Sequence, residues 1–256
     1  MKIGIVGKGG VGKTTMSALV ARFYAARGLR VVAVDTDSNP NLGLSLGLDV
    51  QQTEAIPVLP RSLVVGQGGD CTVDEVLARY GTQTPAGVTV LSALRVDQAA
   101  AGCTCGGHRT VRSLLGEVLD RHADVTLVDM EAGIEHLSRS GGTLAHADVL
   151  VMIMEPTRKS VITAARTVAL ATELGIPSCI GVGNKVDGVG DAAAMAALCE
   201  EYGVRLVASV PRHSAIREAD LGATLLPIDA APEVWAAIAE VVEAVNTEMT
   251  ASAPPA

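Results

Sequence analysis

Short, almost purely apolar runs alternate along this chain with longer stretches in which apolar residues recur every three or four positions. The apolar runs predict strands at Lys2–Val6, Arg30–Asp35, Val88–Leu91, Val125–Asp129, Val149–Met154, Cys179–Gly183 and Val204–Ala208. They are rich in Val and Ile and lack polar alternation, so the strands are expected to be buried on both faces. Helical spacing predicts helices at Thr14–Ala26, Thr110–His122, Ser160–Leu174, Asp191–Tyr202 and Pro232–Asn246. Alternation of the two kinds of element implies right-handed crossovers, with ligands gathered at the carboxyl ends of the strands. The expected architecture is α/β: one domain of three layers over residues 1–248, a mostly parallel sheet flanked by helices, and a disordered tail over 249–256. Residues 49–87 show no clear period, and Gln67-Gly68-Gly69-Asp70 reads as a turn.

Composition narrows the class. Hydrophobic residues make up 48% and aromatics only 2%, so the core must be Ala, Val, Leu and Ile. The formal net charge of −8 argues against nucleic acid as the main partner, because phosphate backbones need a surplus of Lys and Arg. No apolar run is long enough to span a bilayer, and the first strand starts at the second residue, so neither a membrane span nor a secretion signal is expected. Five cysteines without a regular framework fit a reducing cytoplasm. The last helix puts Val234, Ile238, Val241, Val242 and Val245 on one side, with Glu233, Glu240 and Glu243 among its polar positions. That acidic face suits packing on a sheet better than adhesion to anionic lipid.

The densest chemistry follows the first strand: Gly7-Lys8-Gly9-Gly10-Val11-Gly12-Lys13-Thr14-Thr15. Glycines let successive backbone N–H groups of Gly9, Gly10, Val11 and Gly12 curl round phosphate oxygens. Lys13 reaches the terminal phosphates, the Thr14 hydroxyl can ligate Mg²⁺, and Thr15 opens a helix whose positive end faces the anion. Gly7, Gly9 and Gly12 also satisfy a dinucleotide fingerprint, with Asp35 at a fitting distance for a ribose. Lys13-Thr14-Thr15 decides for a nucleoside triphosphate, since a dinucleotide loop needs neither an ammonium nor paired hydroxyls there. Asp35, Asp37 and Asp129 each stand at the end of a buried strand, where a carboxylate is costly unless a cation or donor meets it. Asp129 can hold a Mg²⁺-bound water, Asp37 sits in a short polar loop able to move, and Gly133 lets backbone approach a γ-phosphate. Either Asp35 or Asp37 can alternatively cap a turn. Asn184 and Lys185, after another apolar strand, are placed to read a purine, as GTPase base loops do.

Gly102-Cys103-Thr104-Cys105-Gly106 carries a second kind of chemistry. In extended backbone, residues two apart point the same way, so Cys103 and Cys105 can present both sulfurs together. Arg109, Arg112 and a helix N-terminus nearby favour thiolates. Two thiolates make an incomplete site for a soft divalent ion; a two-fold axis would supply four, enough for Ni²⁺ or Zn²⁺. His108 is read as a solvated loop histidine. The competing reading of the pair is two small core residues beside a turn.

With its second lysine at Lys8, the loop resembles the deviant phosphate loop of the MinD/ParA/nitrogenase-iron-protein class of P-loop ATPases. The likeness extends over the whole domain. It implies an ATP-dependent homodimer in which Lys8 reaches the partner's phosphates, and catalytic roles for Lys8, Lys13 and Asp37. It further implies Mg²⁺ held through Thr14, Asp37 and Asp129, and adenine met by Asn184, with Pro211 and Arg212 beside it. More narrowly, Cys103-Thr104-Cys105 together with the run from Asp129 through Gly133 to Leu137 resembles the nickel-insertion ATPases of carbon monoxide dehydrogenase. That resemblance implies metal at the dimer interface and a client metalloenzyme. Three other functions compete: a positioning or partition ATPase on membrane or DNA, a redox protein with a shared iron–sulfur cluster, and a dinucleotide oxidoreductase.

Overall fold

The computed structural model describes residues 1–60, 63, 71–95, 110–112, 114, 115, 122–132 and 144–252. Its strands are β1 (Lys2–Gly7), β2 (Val31–Asp35), β3 (Thr82–Gln83), β4 (Val88–Ser92), β5 (Val125–Asp129), β6 (Val149–Met154), β7 (Ser178–Val186) and β8 (Leu206–Pro211). They form one sheet in the order β3-β4-β2-β5-β1-β6-β7-β8, in which only the β3–β4 pair is antiparallel. Helices are α1 (Lys13–Ala25), α2 (Leu42–Ser45), α3 (Val50–Glu54), α4 (Val73–Tyr80), α5 (Arg158–Glu173), α6 (Gly188–Tyr202), α7 (Ser214–Leu221) and α8 (Pro232–Ser252), with further helical residues at 110–112, 114 and 115.

The absence of polar alternation in the strands has a direct structural cause. Side chains alternate between two apolar cores, one on each face of the sheet. Ile3, Ile5, Ala33, Leu127, Val151 and Ile153 face α1 and α8. Their neighbours Val6, Val32, Val34, Val128, Leu150 and Met152 enter the core beneath α4, α5 and α6. At about 1.5–3 kcal/mol for each large apolar side chain buried, these two layers dominate the favourable side of folding. Gly4 shows how closely they fit: a Cβ there would lie 2.6 Å from Leu150 Cδ2 and 2.7 Å from Leu144 Cδ1.

Several element expectations need correction. The last strand is Leu206–Pro211 rather than Val204–Ala208, because Gly203 adopts φ 67° to end α6 and Val204 N–H returns to the Cys199 carbonyl. Pro211 is tolerated in β8 because β8 is an edge strand, where a missing N–H costs little. The irregular stretch 49–87 contains α3, α4 and β3. Both helices open with a reciprocal capping box, Asp49 with Gln52 and Thr72 with Glu75. Helix α7 carries no fully buried residue and so has no strong apolar stripe to announce it. Helix α8 continues to Ser252, past the expected end at 246 and into the first residues of the expected tail. Residues 247–252 contain no helix breaker, Met249 packs on the core, and Glu248 accepts hydrogen bonds from Ser178 and Arg205.

Candidate functional site

The carboxyl ends of β1, β2, β5, β6, β7 and β8 converge where the order of the chain through the sheet reverses about β1. Register fixes this: Ile5 lies beside Asp129, Asp35 beside Asp129, Gly7 beside Ile153, and Val186 beside Pro211. The loop from β1 to α1 therefore sits at a topological switch point, the place where open α/β sheets bind ligands.

The loop's glycines answer specific steric demands. Gly7 has φ 152°, and a Cβ there would lie 2.4 Å from the Ile153 carbonyl oxygen. Gly12, the N-cap of α1, has φ 93°, and its Cβ would meet Asn184 Nδ2 at 2.4 Å. Gly10 also takes a positive φ, and the space beside it is open. No side chain caps α1, so its first-turn N–H groups face the loop's concavity. This arrangement suits a polyanion. The Lys13 ammonium, largely buried, donates to the Lys8 carbonyl at 3.3 Å. Burial lowers the Lys13 pKa, while Asp129, Asp37 and Glu131 pull it back up. Lys8 itself is exposed.

Asp129 is fully buried at the end of β5, and Ser17 Oγ donates to its Oδ1 at 2.9 Å. Burial raises its pKa, opposed by hydrogen bonds from the Thr14 and Ser17 hydroxyls and by Lys13. Asp35, beside it in β2, is raised too, first by burial and then by the Asp129 charge. Two adjacent carboxylates cannot both ionise cheaply. Asp35 is, however, an organiser rather than an open ligand: its oxygens accept the N–H groups of Asp37 at 3.0 Å and Leu42 at 2.9 Å. It thereby closes the loop 36–41 at both ends, the turn-capping alternative. Asp37, half-buried, accepts Asn39 N–H at 2.9 Å. Thr36 Oγ1 donates to the Asp129 carbonyl at 2.8 Å, and Ser38 Oγ to Glu131 Oε1 at 2.9 Å. The two loops that follow β2 and β5 are thus bonded to each other.

On the opposite side the loop is braced. Asn184 Nδ2 donates to the Val11 carbonyl at 2.7 Å, and Lys185 Nζ to the Gly10 carbonyl at 2.6 Å and to Glu155 Oε1 at 2.7 Å. Both residues belong to the end of β7 rather than to a loop after it, and Lys185 adopts φ 56° to aim its side chain back. One amide N–H of the expected purine reader is therefore spent on the phosphate loop. Pro211 ends β8, and Arg212 N–H donates to the Val186 carbonyl at 3.0 Å, so both lie next to that corner. Thr15 instead lines a largely apolar cavity of about 210 Å³ with Ile216, Asp220 and Leu226.

The chain matches the model of the CobQ/CobB/MinD/ParA nucleotide-binding domain over residues 4–226. It belongs to that family. Within it, the chain is 34% identical over 235 residues to the carbon monoxide dehydrogenase accessory protein CooC of Rhodospirillum rubrum, covering 86% of this chain and 87% of that one. It is 33% identical over 224 residues to an uncharacterised ATP-binding protein of Methanocaldococcus jannaschii, covering 82% and 85%. Its fold matches that of the septum site-determining protein MinD of Pyrococcus horikoshii, solved with Mg-ADP, with a TM-score of 0.73 over 99% of both chains at 20% identity. This chain is accordingly an ATPase of the MinD/ParA superfamily.

Sequence reasoning missed Ser17, Ser38 and Glu155. Ser17 lies three residues after Thr14, on the same face of α1, a spacing that was legible. Glu155 follows the wholly apolar β6, the same signature that singles out Asp35 and Asp129. Gly133, Cys103, Cys105, His108 and Arg109 lie outside the described residues, as does the turn at 67–70. Of the remaining cysteines, Cys199 is buried, and burial pushes the Cys179 thiol up to about 11, which suits packing rather than metal binding. Among the described residues no group of three or more His, Cys, Asp or Glu is set to hold a metal, and no helix is long and apolar enough to cross a membrane.

Proposed function

We propose that this ATPase is a metallochaperone that dimerises on ATP and delivers nickel to a client metalloenzyme of the carbon monoxide dehydrogenase kind. One observation carries the reading: extensive identity with a carbon monoxide dehydrogenase accessory protein over most of both chains, in a sequence that also holds Cys103-Thr104-Cys105. The site supports the ATP half. Backbone N–H groups of residues 9–15 and the Lys13 ammonium hold the triphosphate. Thr14, hydrogen-bonded to the buried Asp129, and the nearby Asp37 form the oxygen set that fits Mg²⁺, a hard cation. Magnesium held there would neutralise charge on the phosphate oxygens. Asp37, on the loop that Asp35 closes, orients the attacking water. Asn184 and Arg212, with Pro211, border the base, and Gly133 follows the γ-phosphate. The exposed Lys8 serves the partner copy in the ATP-bound homodimer.

In the metal half, the thiolates of Cys103 and Cys105 from two copies take one soft divalent ion as cargo, Ni²⁺ or Zn²⁺. Hydrolysis opens the dimer, halves the ligand set and releases the ion to the client. The protein acts in the cytoplasm, and residues 1–248 form its working domain. Equilibrium titration of Ni²⁺ and Zn²⁺ tests this: about one ion per dimer is expected from a four-thiolate site, and none for C103S/C105S. Unchanged binding in that variant removes the reading. The competing role at a membrane finds little support, because the apolar face of α8 is already buried against the sheet.

A further inference from the structure

The largely apolar cavity of about 210 Å³ shares only Thr15 with the phosphate loop. Its floor is a stripe of α1 that ends at Leu19 and Arg22. Leu44 of α2 and Val50 of α3 stand on one wall, Ile216 and Leu221 of α7 on the other. The rim is apolar where solvent favours polar groups: Val50 is 57% and Leu221 74% exposed, two of the four large apolar side chains that the described residues leave in water. The turn that completes the second wall places Ala223 at φ 47°, a left-handed conformation that costs a residue with a Cβ.

Arg22 gives the cavity a second character. Among the described residues its guanidinium meets no carboxylate; it lies 4.9 Å over the Trp235 ring, and burial lowers its pKa. Asp220, the carboxylate on the described lining, is exposed and forms no bridge to it. A half-buried cation without a counter-ion carries a cost that an incoming carboxylate would offset. The cavity therefore fits an apolar side chain with a carboxylate beside it.

The chain itself presents such a group. Val189, at 85% the most exposed of those four apolar side chains, stands at the start of α6 in the run Asp187-Gly188-Val189-Gly190-Asp191. The glycines on either side have open space where a Cβ would be, so a neighbour can close round the valine. Asp191 is engaged by the Asp187 N–H at 3.1 Å, whereas the Asp187 carboxylate is exposed and its ion pair with Arg212 is stretched to 3.9 Å. Knob and cavity are also neighbours on one surface. Val186 pairs with Pro211 and its carbonyl accepts the Arg212 N–H, so Val189 and Ile216 lie three and four residues beyond the same corner. A two-fold interface needs this adjacency, because each copy must offer both halves.

We propose that two copies of this chain associate through this face, each seating Val189 in the other's cavity with Asp187 against Arg22. The contact goes beyond the ATP-dependent dimer proposed above, since it needs neither nucleotide nor Lys8 nor metal. It covers α7, the helix that carries no fully buried residue of its own.

Sedimentation velocity on the full chain, free of nucleotide and in EDTA with reductant, reads the association directly. Wild type should pass from monomer to dimer over a concentration series reaching about 1 mM, the scale of a weak contact. V189D changes a side chain too exposed to unsettle the fold, and should raise the dimer Kd by at least about tenfold. R22E should do the same, and R22E/D187R, which restores opposed charges, should recover most of the loss. Emission from Trp235, the only tryptophan in the chain and in contact with Arg22, should shift with concentration in wild type and not in V189D. A wild type that stays monomeric throughout, a dimer that V189D and R22E leave unchanged, or a double variant as weak as R22E overturns the proposal. If R22E does not fold, V189D and L221D carry the test under the same criterion. A non-hydrolysable ATP analogue separates the two dimers: association that appears only with it and survives V189D belongs to the Lys8 interface and counts against this one.

Discussion

The two sides of the phosphate loop are held by opposite means. Toward β7, neutral and cationic donors meet backbone carbonyls: Asn184 on Val11, Lys185 on Gly10, with the Lys185 charge answered by Glu155. Toward β2 and β5, acidic groups gather instead, and Lys13 faces Asp129, Asp37 and Glu131 while Asp35 lies beside Asp129. The first arrangement is complete without a ligand. The second gathers carboxylates round Lys13, and its loops are joined by the Ser38 hydroxyl on Glu131 and by the Thr36 hydroxyl and N–H on the Asp129 carbonyl. Donors already engaged on one side and a wall rich in carboxylates on the other make the two sides of the cradle chemically unlike, and whether they also differ in how they respond to nucleotide can be measured.

Removing Lys13, the cation that faces Asp129, Asp37 and Glu131, is the most severe way to break that contrast. Lys13→Ala should lower the ATP hydrolysis rate by about 10²–10³-fold, the usual cost of losing a donor aimed at developing charge. Phosphate release at saturating ATP measures it, and a rate within threefold of wild type would show that Lys13 is only structural.

Second in size is Asp129→Asn, where activity and stability should move in opposite directions. Burial holds the Asp129 carboxyl above its ordinary value, and Asp35 follows. A carboxylic acid raised in the folded state binds more protons folded than unfolded, so its contribution to stability falls as pH climbs from about 4 through the raised value. The amide removes that cost and relieves Asp35. In nucleotide-free protein we expect Tm to rise by about 3–6 °C at pH 8 and by less at pH 5, while hydrolysis falls at least about a hundredfold. A lower Tm at both pH values would mean that the buried carboxylate is stabilising as it stands.

How much of this was legible in the residues follows the same division. The phosphate loop and the aspartates ending β2 and β5 were visible because each breaks a local rule, glycine at an element junction or charge at the end of an apolar strand. Turn-capping by Asp35 was legible as an alternative, but the bond of Asn184 to the Val11 carbonyl was not, since only the register brings those atoms near. Capping boxes at Asp49 and Thr72 were readable and would have turned the irregular stretch into two helices. His213, whose Nδ1 caps α7 in place of an oxygen, carries no such signal. The positive φ of Lys185, which brings its ammonium onto the Gly10 carbonyl of the phosphate loop, was not legible either.

The brace is tested more gently. Asn184→Ala deletes a buried hydrogen bond and leaves the Val11 carbonyl without its donor, a loss of about 1–3 kcal/mol. Because it acts on the shape of the cradle, the expected result is a five- to hundredfold weaker ATP affinity, roughly that energy expressed as binding. The hydrolysis rate at saturation should change far less. Gly12→Ala should resemble it, since the new Cβ would land 2.4 Å from the same amide at a φ of 93°. Fluorescent-nucleotide titration beside saturated turnover separates the two quantities, and a selective fall in turnover would move Asn184 from the brace to the chemistry.

Smallest of all should be Ser38→Ala, which cuts the contact between the two loops of the acidic wall. The hydroxyl and Glu131 Oε1 are 2.9 Å apart at a half-buried position, so the bond is worth about 0.5–1.5 kcal/mol. Global Tm should move by less than about 4 °C on that account. The informative effect is local: amide exchange at 36–41 in nucleotide-free protein should quicken by about two- to tenfold, while the nucleotide-bound protein changes little. That asymmetry follows only if the Ser38–Glu131 contact gives way when nucleotide binds. Equal quickening with and without nucleotide would make it a permanent staple, and the acidic wall would then be as fixed as the brace opposite.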